Sequence, residues 1–236
     1  MSELVSWFAI LAGGLVVTLE LVIFTTLFTI LLSAALAICS ISPWRSVRLL
    51  AGLYADLMRS IPLLALLIFL YYGLGRIAVG LGVSAFWLVV AGLTMSESAY
   101  LGEIYRGGLV AIPETQWEAA ASIGLRWPSI VRRVVLPQAL PPAIPSTLNM
   151  LIGIIKDSSL ASLVAVGEVT LVATILVSQT FEPMQVYLVL ALLYLVLIVP
   201  ISLLARWVEA RVGSGLSAGA DGHAPIEPRL TLLPEA

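Results

Sequence analysis

The side chains able to do chemistry in this chain gather in two short runs. Glu97 sits in Ser96-Glu97-Ser98-Ala99-Tyr100, and Lys156-Asp157-Ser158-Ser159 follows downstream. Both runs interrupt strongly apolar sequence, and a charge at membrane depth is costly enough that each one marks a pathway or a partner. Two carboxylates, one ammonium and two hydroxyls suit a zwitterion, which needs an acceptor cluster for its cation and a donor cluster for its anion. A helix break at Ser158-Ser159 would add free backbone groups to that set. Tyr100 is one turn from Glu97 on the same side, and Glu20 either lines the same cavity or snorkels outward. The acidic groups Glu20, Glu97 and Asp157 against the one Lys156 favour a ligand with a cationic side chain. A plainer alternative is that Lys156 is neutralised by Asp157 or by Glu97. Glu103 and Arg106, three apart on one helix, read as a structural ion pair. Arg59 before Pro62 reads as a helix-end anchor, and Glu168 as facing external water.

The elements that must hold these residues are membrane helices. The chain has 236 residues, 60% of them hydrophobic and 11% charged, and its mean hydropathy is +1.07. A soluble domain carries about a quarter charged residues, so composition excludes that class and predicts an all-α polytopic membrane protein. Leu11 to Ile38 is long enough for a first span, with Trp7 and Phe8 at one end and Trp44, Arg45 and Arg48 at the other. Val47 to Leu74 returns the chain, kinked or restarted at Pro62. A loop from Gly73 to Val83 carrying Arg76 precedes a third span, Ala85 to Gly107. A fourth, Ala143 to Leu160, is short and crowded by Pro141, Pro142 and Pro145. Leu163 to Ser178 is interrupted by Gly167 and Glu168 and reads as re-entrant or peripheral, followed by a polar corner from Gln179 to Met184. The last span is Val186 to Leu204. At 1.5 Å per residue, Glu97 and the Lys156-Asp157 pair each lie roughly 20 Å into their spans, at similar depth.

Charge placement orients this arrangement. Nine of the twelve basic residues fall at or beyond one face if about five spans run with the N-terminus outside and the C-terminus cytoplasmic. No basic region or small-residue cleavage site marks the N-terminal apolar stretch, which reads as a retained span. Residues 1–211 form the membrane domain, and residues 212–236, rich in Gly, Ala, Ser and Pro, are expected as a disordered cytoplasmic tail. The lone Cys39 and the lone His223 offer no metal site. No GxxxxGK[ST] loop is present, so this chain is expected to bind no cofactor, and any ATP and Mg would sit on another chain. No nucleic-acid partner is expected.

The long polar interruption is residues 113–137, PETQWEAAASIGLRWPSIVRRVVLP. It reads as two helices joined by a turn. Pro113 suits the first helical position, Thr115 and Glu118 have capping-box spacing, and Gly124 is placed to end the helix left-handed. A second helix would begin at Pro128 and stop before Pro137. Arg126, Arg132 and Arg133 put the stretch on the cytoplasmic side as a docking surface.

The spacing of Glu118-Ala119-Ala120, Gly124, Val134 and Leu136-Pro137 resembles the EAA loop of permease subunits of binding-protein-dependent ABC importers, with Val134 where isoleucine is usual. Arg59-Ser-Ile-Pro62, Glu97-Ser-Ala-Tyr100, Glu103-Ile-Tyr-Arg-Gly-Gly108, Leu136-Pro-Gln-Ala139, Asn149, Lys156-Asp-Ser-Ser-Leu160 and Gly167-Glu168 are similar to the subgroup that imports polar amino acids such as histidine, glutamine, glutamate and arginine. The resemblance implies a type I importer permease in a bacterial inner membrane, moving a polar amino acid by ATP-driven alternating access. Besides lipid, it implies as partners cytoplasmic ATPase subunits, an external solute-binding protein, and a second permease subunit, identical or a sister. It makes Glu118, Ala119, Ala120, Gly124, Leu136 and Pro137 the ATPase-coupling residues, and Glu97, Tyr100, Lys156, Asp157, Ser158, Ser159 and Glu20 the candidates for the substrate path. Two departures stand out. Glu114-Thr115-Gln116 replaces the usual Gly-Gln, and Pro141 stands where a basic residue is general. The residues alone leave two other classes open, a proton-coupled secondary carrier using Glu97 and Asp157, and an intramembrane Ser/Lys hydrolase.

Overall fold

The computed structural model describes residues 2–220, with side chains for residues 7–212. Among the described residues the structure is helical, without strands. The elements are α1 (Ser2–Ser40), α2 (Arg45–Ser60), α3 (Leu63–Ile68), a π segment (Phe69–Gly73), α4 (Leu74–Gly80), α5 (Ala85–Val110), α6 (Glu114–Ser122), α7 (Trp127–Ile130), a second π segment (Val131–Val135), α8 (Leu136–Asp157), a 3-10 segment (Ser158–Val164), α9 (Val169–Thr180) and α10 (Pro183–Ala220). Four stretches are long and apolar enough to cross a membrane: Trp7–Ser40, Leu63–Gly80, Trp127–Val164 and Pro183–Val212. Helix α5 adds 26 residues, about 39 Å of helix, and carries Glu97, Glu103 and Arg106. Its polar positions are what keep it from reading as apolar.

Helix α5 is the inner post of the bundle. Leu93, Ser98, Ala99 and Leu101 are fully buried within it, and α1, α2 and α8 pack around it. The α1 face turned inward carries Thr18, Thr25, Thr29 and Ser33 at helical spacing, all buried. Small polar side chains let membrane helices approach closely. The Ser33 hydroxyl donates to the Ser98 carbonyl at 3.3 Å, and a Cβ on Gly102 would lie 3.4 Å from Leu36. The outward faces of α1 and α10 carry exposed Ile23, Leu27, Leu31, Leu188, Leu195 and Val196, a surface suited to hydrocarbon or to another membrane subunit.

Several boundaries differ from the sequence reading. The break at Pro62 is present, with Ile61 extended at φ −92°. The loop expected from Gly73 to Val83 is helical as far as Gly80, because the π segment absorbs Gly73 without breaking the backbone ladder. Arg76 therefore stands on a helix. The fourth span is longer than its apolar core: Trp127–Val164 is one helical run that passes through Pro137, Pro141, Pro142 and Pro145. The second docking helix does not stop before Pro137. The π register at Val131–Val135 shifts the ladder, the Leu136 amide donates to the Val131 carbonyl, and the Gln138 side chain donates to the Val134 carbonyl at 2.7 Å. Backbone acceptors near the prolines thus find local donors. Helix α9 has 12 residues, about 18 Å, and falls short of a bilayer's roughly 30 Å core. It lies against α1 and α10, as a re-entrant or peripheral piece would. Helix α10 continues to Ala220, and residues 221–236 of the expected tail lie outside the described residues.

The α1–α9 contact is tight at Gly14. A Cβ there would lie 2.8 Å from both Val169 Cα and Val172 Cγ2, whereas one at Gly13 would meet nothing within 4 Å. Gly14→Ala is expected to lower stability by about 1–3 kcal/mol through overpacking, while Gly13→Ala leaves it unchanged. Thermal melting of the two detergent-solubilised variants checks this, and equal melting points would contradict the packing.

Candidate transport and coupling sites

The polar interruption forms an elbow. Helix α6 begins at Glu114, so Pro113 is its N-cap residue rather than its first helical residue, and no side-chain capping bond forms there. The Thr115/Glu118 capping box is therefore absent, because with Pro113 at the cap Thr115 already lies inside the helix. Gly124 has φ +81°, the left-handed turn that ends the helix, and Leu125 returns its amide to the Ala120 carbonyl at 3.2 Å. Helix α7 then starts at Trp127 with Pro128 in its first turn.

Packing gives the elbow an inner and an outer side. Ala120, Ile130, Val135 and Ala139 are buried together with Ala37 of α1 and Leu109 of α5. Trp117, Leu125, Val134 and Leu136 pack on that cluster. Glu118, Ala119, Gly124 and Pro137 are exposed, as are Arg132 and Arg133. Ile123, at the tip, is 76% exposed. Of the six residues named for coupling, Ala120 and Leu136 thus anchor the elbow to the bundle, and the other four face away from it.

The second site lies deeper. Glu97 is 8% exposed, and its carboxyl group faces that of Asp157 within direct interaction range. Helices α5 and α8 bring the two together because they pack side by side. Two carboxyl groups this close do not readily both ionise, and a cationic group between or beside them favours the ionised pair. Lys156 is exposed and forms no salt bridge with either acid among the described residues, although its charge acts on the neighbouring Asp157. The Ser159 hydroxyl donates to the Lys156 carbonyl and the Ser158 hydroxyl to the Ile155 carbonyl, each at 2.7 Å. Tyr100 is 46% exposed and donates to the Arg59 carbonyl at 3.3 Å, tying α5 to the end of α2. Glu20 is exposed on α1 beside exposed Leu19 and Ile23.

Between these two sites runs a charged groove of about 250 Å³. Arg48, Asp56 and Arg59 of α2 face Glu103 and Arg106 of α5 across it. Arg106 pairs with Glu103, as the spacing predicts, and Arg59 pairs with Asp56 at 2.8 Å while donating to the Ala55 carbonyl. Arg59 therefore does anchor its helix end. The sequence reading took Arg48 only as an interface residue and gave Asp56 no role; their spacing with Arg59 along one face of α2 is the signal that brings them together.

Glu168 overturns one expectation. It is fully buried rather than facing water, because it caps α9: its Oε1 accepts from the Leu171 amide at 2.8 Å. Its Oε2 accepts from the Tyr194 hydroxyl at 3.3 Å. Tyr194 has no neighbour in sequence that would flag it, and sequence reasoning passes over it.

Residues 29–214 match the family model described as binding-protein-dependent transport system inner membrane component. This chain belongs to that family and is a multi-pass inner-membrane permease component. It is 35% identical to a probable amino-acid ABC transporter permease protein of Vibrio harveyi over 83% of this chain and 88% of that one. It is 29% identical to the arginine transport system permease protein of Bacillus subtilis (strain 168), over 85% and 91% of the two chains. In fold it is similar to a chain in the crystal structure of an amino acid ABC transporter with histidines, with a TM-score of 0.79 and 30% identity over 89% of this chain and 97% of that one. A methionine ABC transporter in an inward-facing conformation, 20% identical with a TM-score of 0.72, shares the fold.

The elbow's two sides make a chemical prediction. In a Cys39→Ala background, cysteine at Ile123 or Glu118 is expected to react with a maleimide much faster than cysteine at Ala120. Equal rates at the three positions would contradict the packing of α6 on α1 and α5.

Proposed function

We propose that this permease carries a polar amino acid with a cationic side chain inward, and that Glu97 and Asp157 hold that side chain during passage. The single observation behind the reading is the contact between two acids, Glu97 buried and Asp157 half-buried, with Lys156 close enough to act on Asp157 but in no salt bridge with either acid. An amino acid's own cation beside the pair would favour the ionised form of both acids. One relative is named as an arginine transport permease, which fits that chemistry, while another is named for glutamine, which is neutral.

On this reading the exposed residues of the elbow dock on a separate cytoplasmic ATPase, with Glu118 offering a carboxylate to partner donors. ATP-driven closure of the ATPase would draw two such elbows together, one from this chain and one from a second permease subunit, identical or sister. The path between the subunits would then open outward toward an external solute-binding protein. The chain lies with its N-terminus outside and its C-terminus cytoplasmic. ATP and Mg belong to the ATPase. The hydrolase alternative has little support, since both serine hydroxyls donate to backbone carbonyls and Lys156 is exposed.

Uptake by the reconstituted transporter tests the reading. Glu118→Lys or Gly124→Asp is expected to abolish ATP-dependent uptake with the protein still in the membrane. Asp157→Asn is expected to weaken arginine binding by about tenfold, near 1.4 kcal/mol. Full transport by both elbow variants would overturn the docking role. Uptake driven by a proton gradient without the ATPase would favour a secondary carrier.

A further inference from the structure

The buried acid at Glu168 has a use beyond capping a helix. A carboxylate removed from water costs several kcal/mol unless it is well paired, so ordinary capping, which a serine or aspartate does at the surface, does not explain one buried here. The glutamate differs from those in reach. One oxygen caps α9 through the Leu171 amide, and the other meets the Tyr194 hydroxyl of α10. That hydroxyl also meets Thr170 Oγ1 at 3.0 Å and faces the hydroxyl of Ser158, which is fully buried and directly follows Asp157. One tyrosine oxygen therefore joins the end of α8, the start of α9 and the middle of α10.

The segment between these anchors packs Ala161 and Val164 into the core, but the orientation of its first residues depends on polar contacts. Ser158–Val164 is 3-10, a short and poorly bonded form, and Ala165 is left-handed at φ 58°. Its far end is pinned to α1, where the Val169 amide donates to Thr18 Oγ1 at 3.1 Å and Gly14 lets the backbones touch. Its near end, which carries Asp157, is held by Tyr194.

We propose that Glu168 and Tyr194 are positioning residues for the substrate: the Glu168 carboxyl fixes the Tyr194 hydroxyl against Ser158, and this holds Asp157 opposite Glu97 so that the pair selects a cationic over a neutral amino acid. This rests on the reading of Asp157 given above. The acid is long because it must span from its own helix to Tyr194. The shorter side chain of Glu168→Asp would cap α9 and fall short of the tyrosine, whereas Glu168→Gln keeps the length: its amide oxygen can accept from the Leu171 amide while its NH2 donates to the Tyr194 oxygen.

The test is calorimetric binding of arginine and of glutamine to the purified permease–ATPase complex without binding protein. Tyr194→Phe and Glu168→Asp are each expected to weaken arginine binding by about tenfold and to narrow the arginine-to-glutamine preference, with Glu168→Gln close to the unmodified complex. A merely structural role would lower the melting point of all three variants and leave the preference unchanged, and that result overturns the inference. If Asp157→Asn weakens arginine binding while Tyr194→Phe and Glu168→Asp do not, the positioning role fails and the substrate site stands. If Asp157→Asn has no effect on binding, the substrate site itself is wrong and the inference falls with it.

Discussion

The contact between the carboxyl groups of Glu97 and Asp157 constrains everything around it. Two acids side by side inside a membrane protein are costly, so the helices carrying them need close packing to keep them together. They are held by close packing. Small and hydroxyl-bearing residues along α1 and α5 let those helices meet, the Ser33 bond crosses between them, and α8 closes the third side with Ile154 and Ile155 against Val22. The result is a scaffold that holds unlike requirements side by side: an apolar exterior, a helix seam lined with hydroxyls, and a pair of acids that form no salt bridge among the described residues.

One helical run connects that pair to the far end of the protein. Trp127–Val164 carries the elbow's second limb at its start and Asp157 near its close. The four prolines past its first turn, Pro137, Pro141, Pro142 and Pro145, would ordinarily break such a run. The π segment and the side chain of Gln138 supply local donors, so the run stays continuous where sequence rules predict a stop. Continuity matters because a rigid element can carry displacement from one end to the other, and a broken one dissipates it. The elbow's buried face, Ala120 with Ala37 and Leu109, also rests on α1 and α5, so motion at its exposed face would reach α5, which carries Glu97, and α1 packed against it.

Much of this was legible in residue order, and the failures share a cause. Apolar length marked the spans, Gly124 marked the left-handed turn, and the three-residue spacing of Glu103 and Arg106 marked their ion pair. The misplaced features depend on what lies far away in sequence. Glu168 beside Gly167 reads as a polar corner until Tyr194 arrives from α10 to bury it. The Thr115/Glu118 spacing matches a capping box, but the helix has already started by Thr115, where the rule needs its cap. Glu20, Glu97 and Lys156 looked equivalent as charges in apolar runs. Only rotation about each helix axis, set by packing, separates the buried Glu97 from the two exposed ones.

The account stands on a link between the elbow and the acid pair, and linkage can be measured in equilibrium binding. Arginine affinity of the assembled permease–ATPase complex should be determined with and without trapped ATP, in the unmodified protein and in Glu118→Lys. The account predicts that nucleotide shifts arginine affinity by about fivefold or more in the unmodified complex and that the shift disappears in the variant. An affinity indifferent to nucleotide, or a shift that survives Glu118→Lys undiminished, would contradict it.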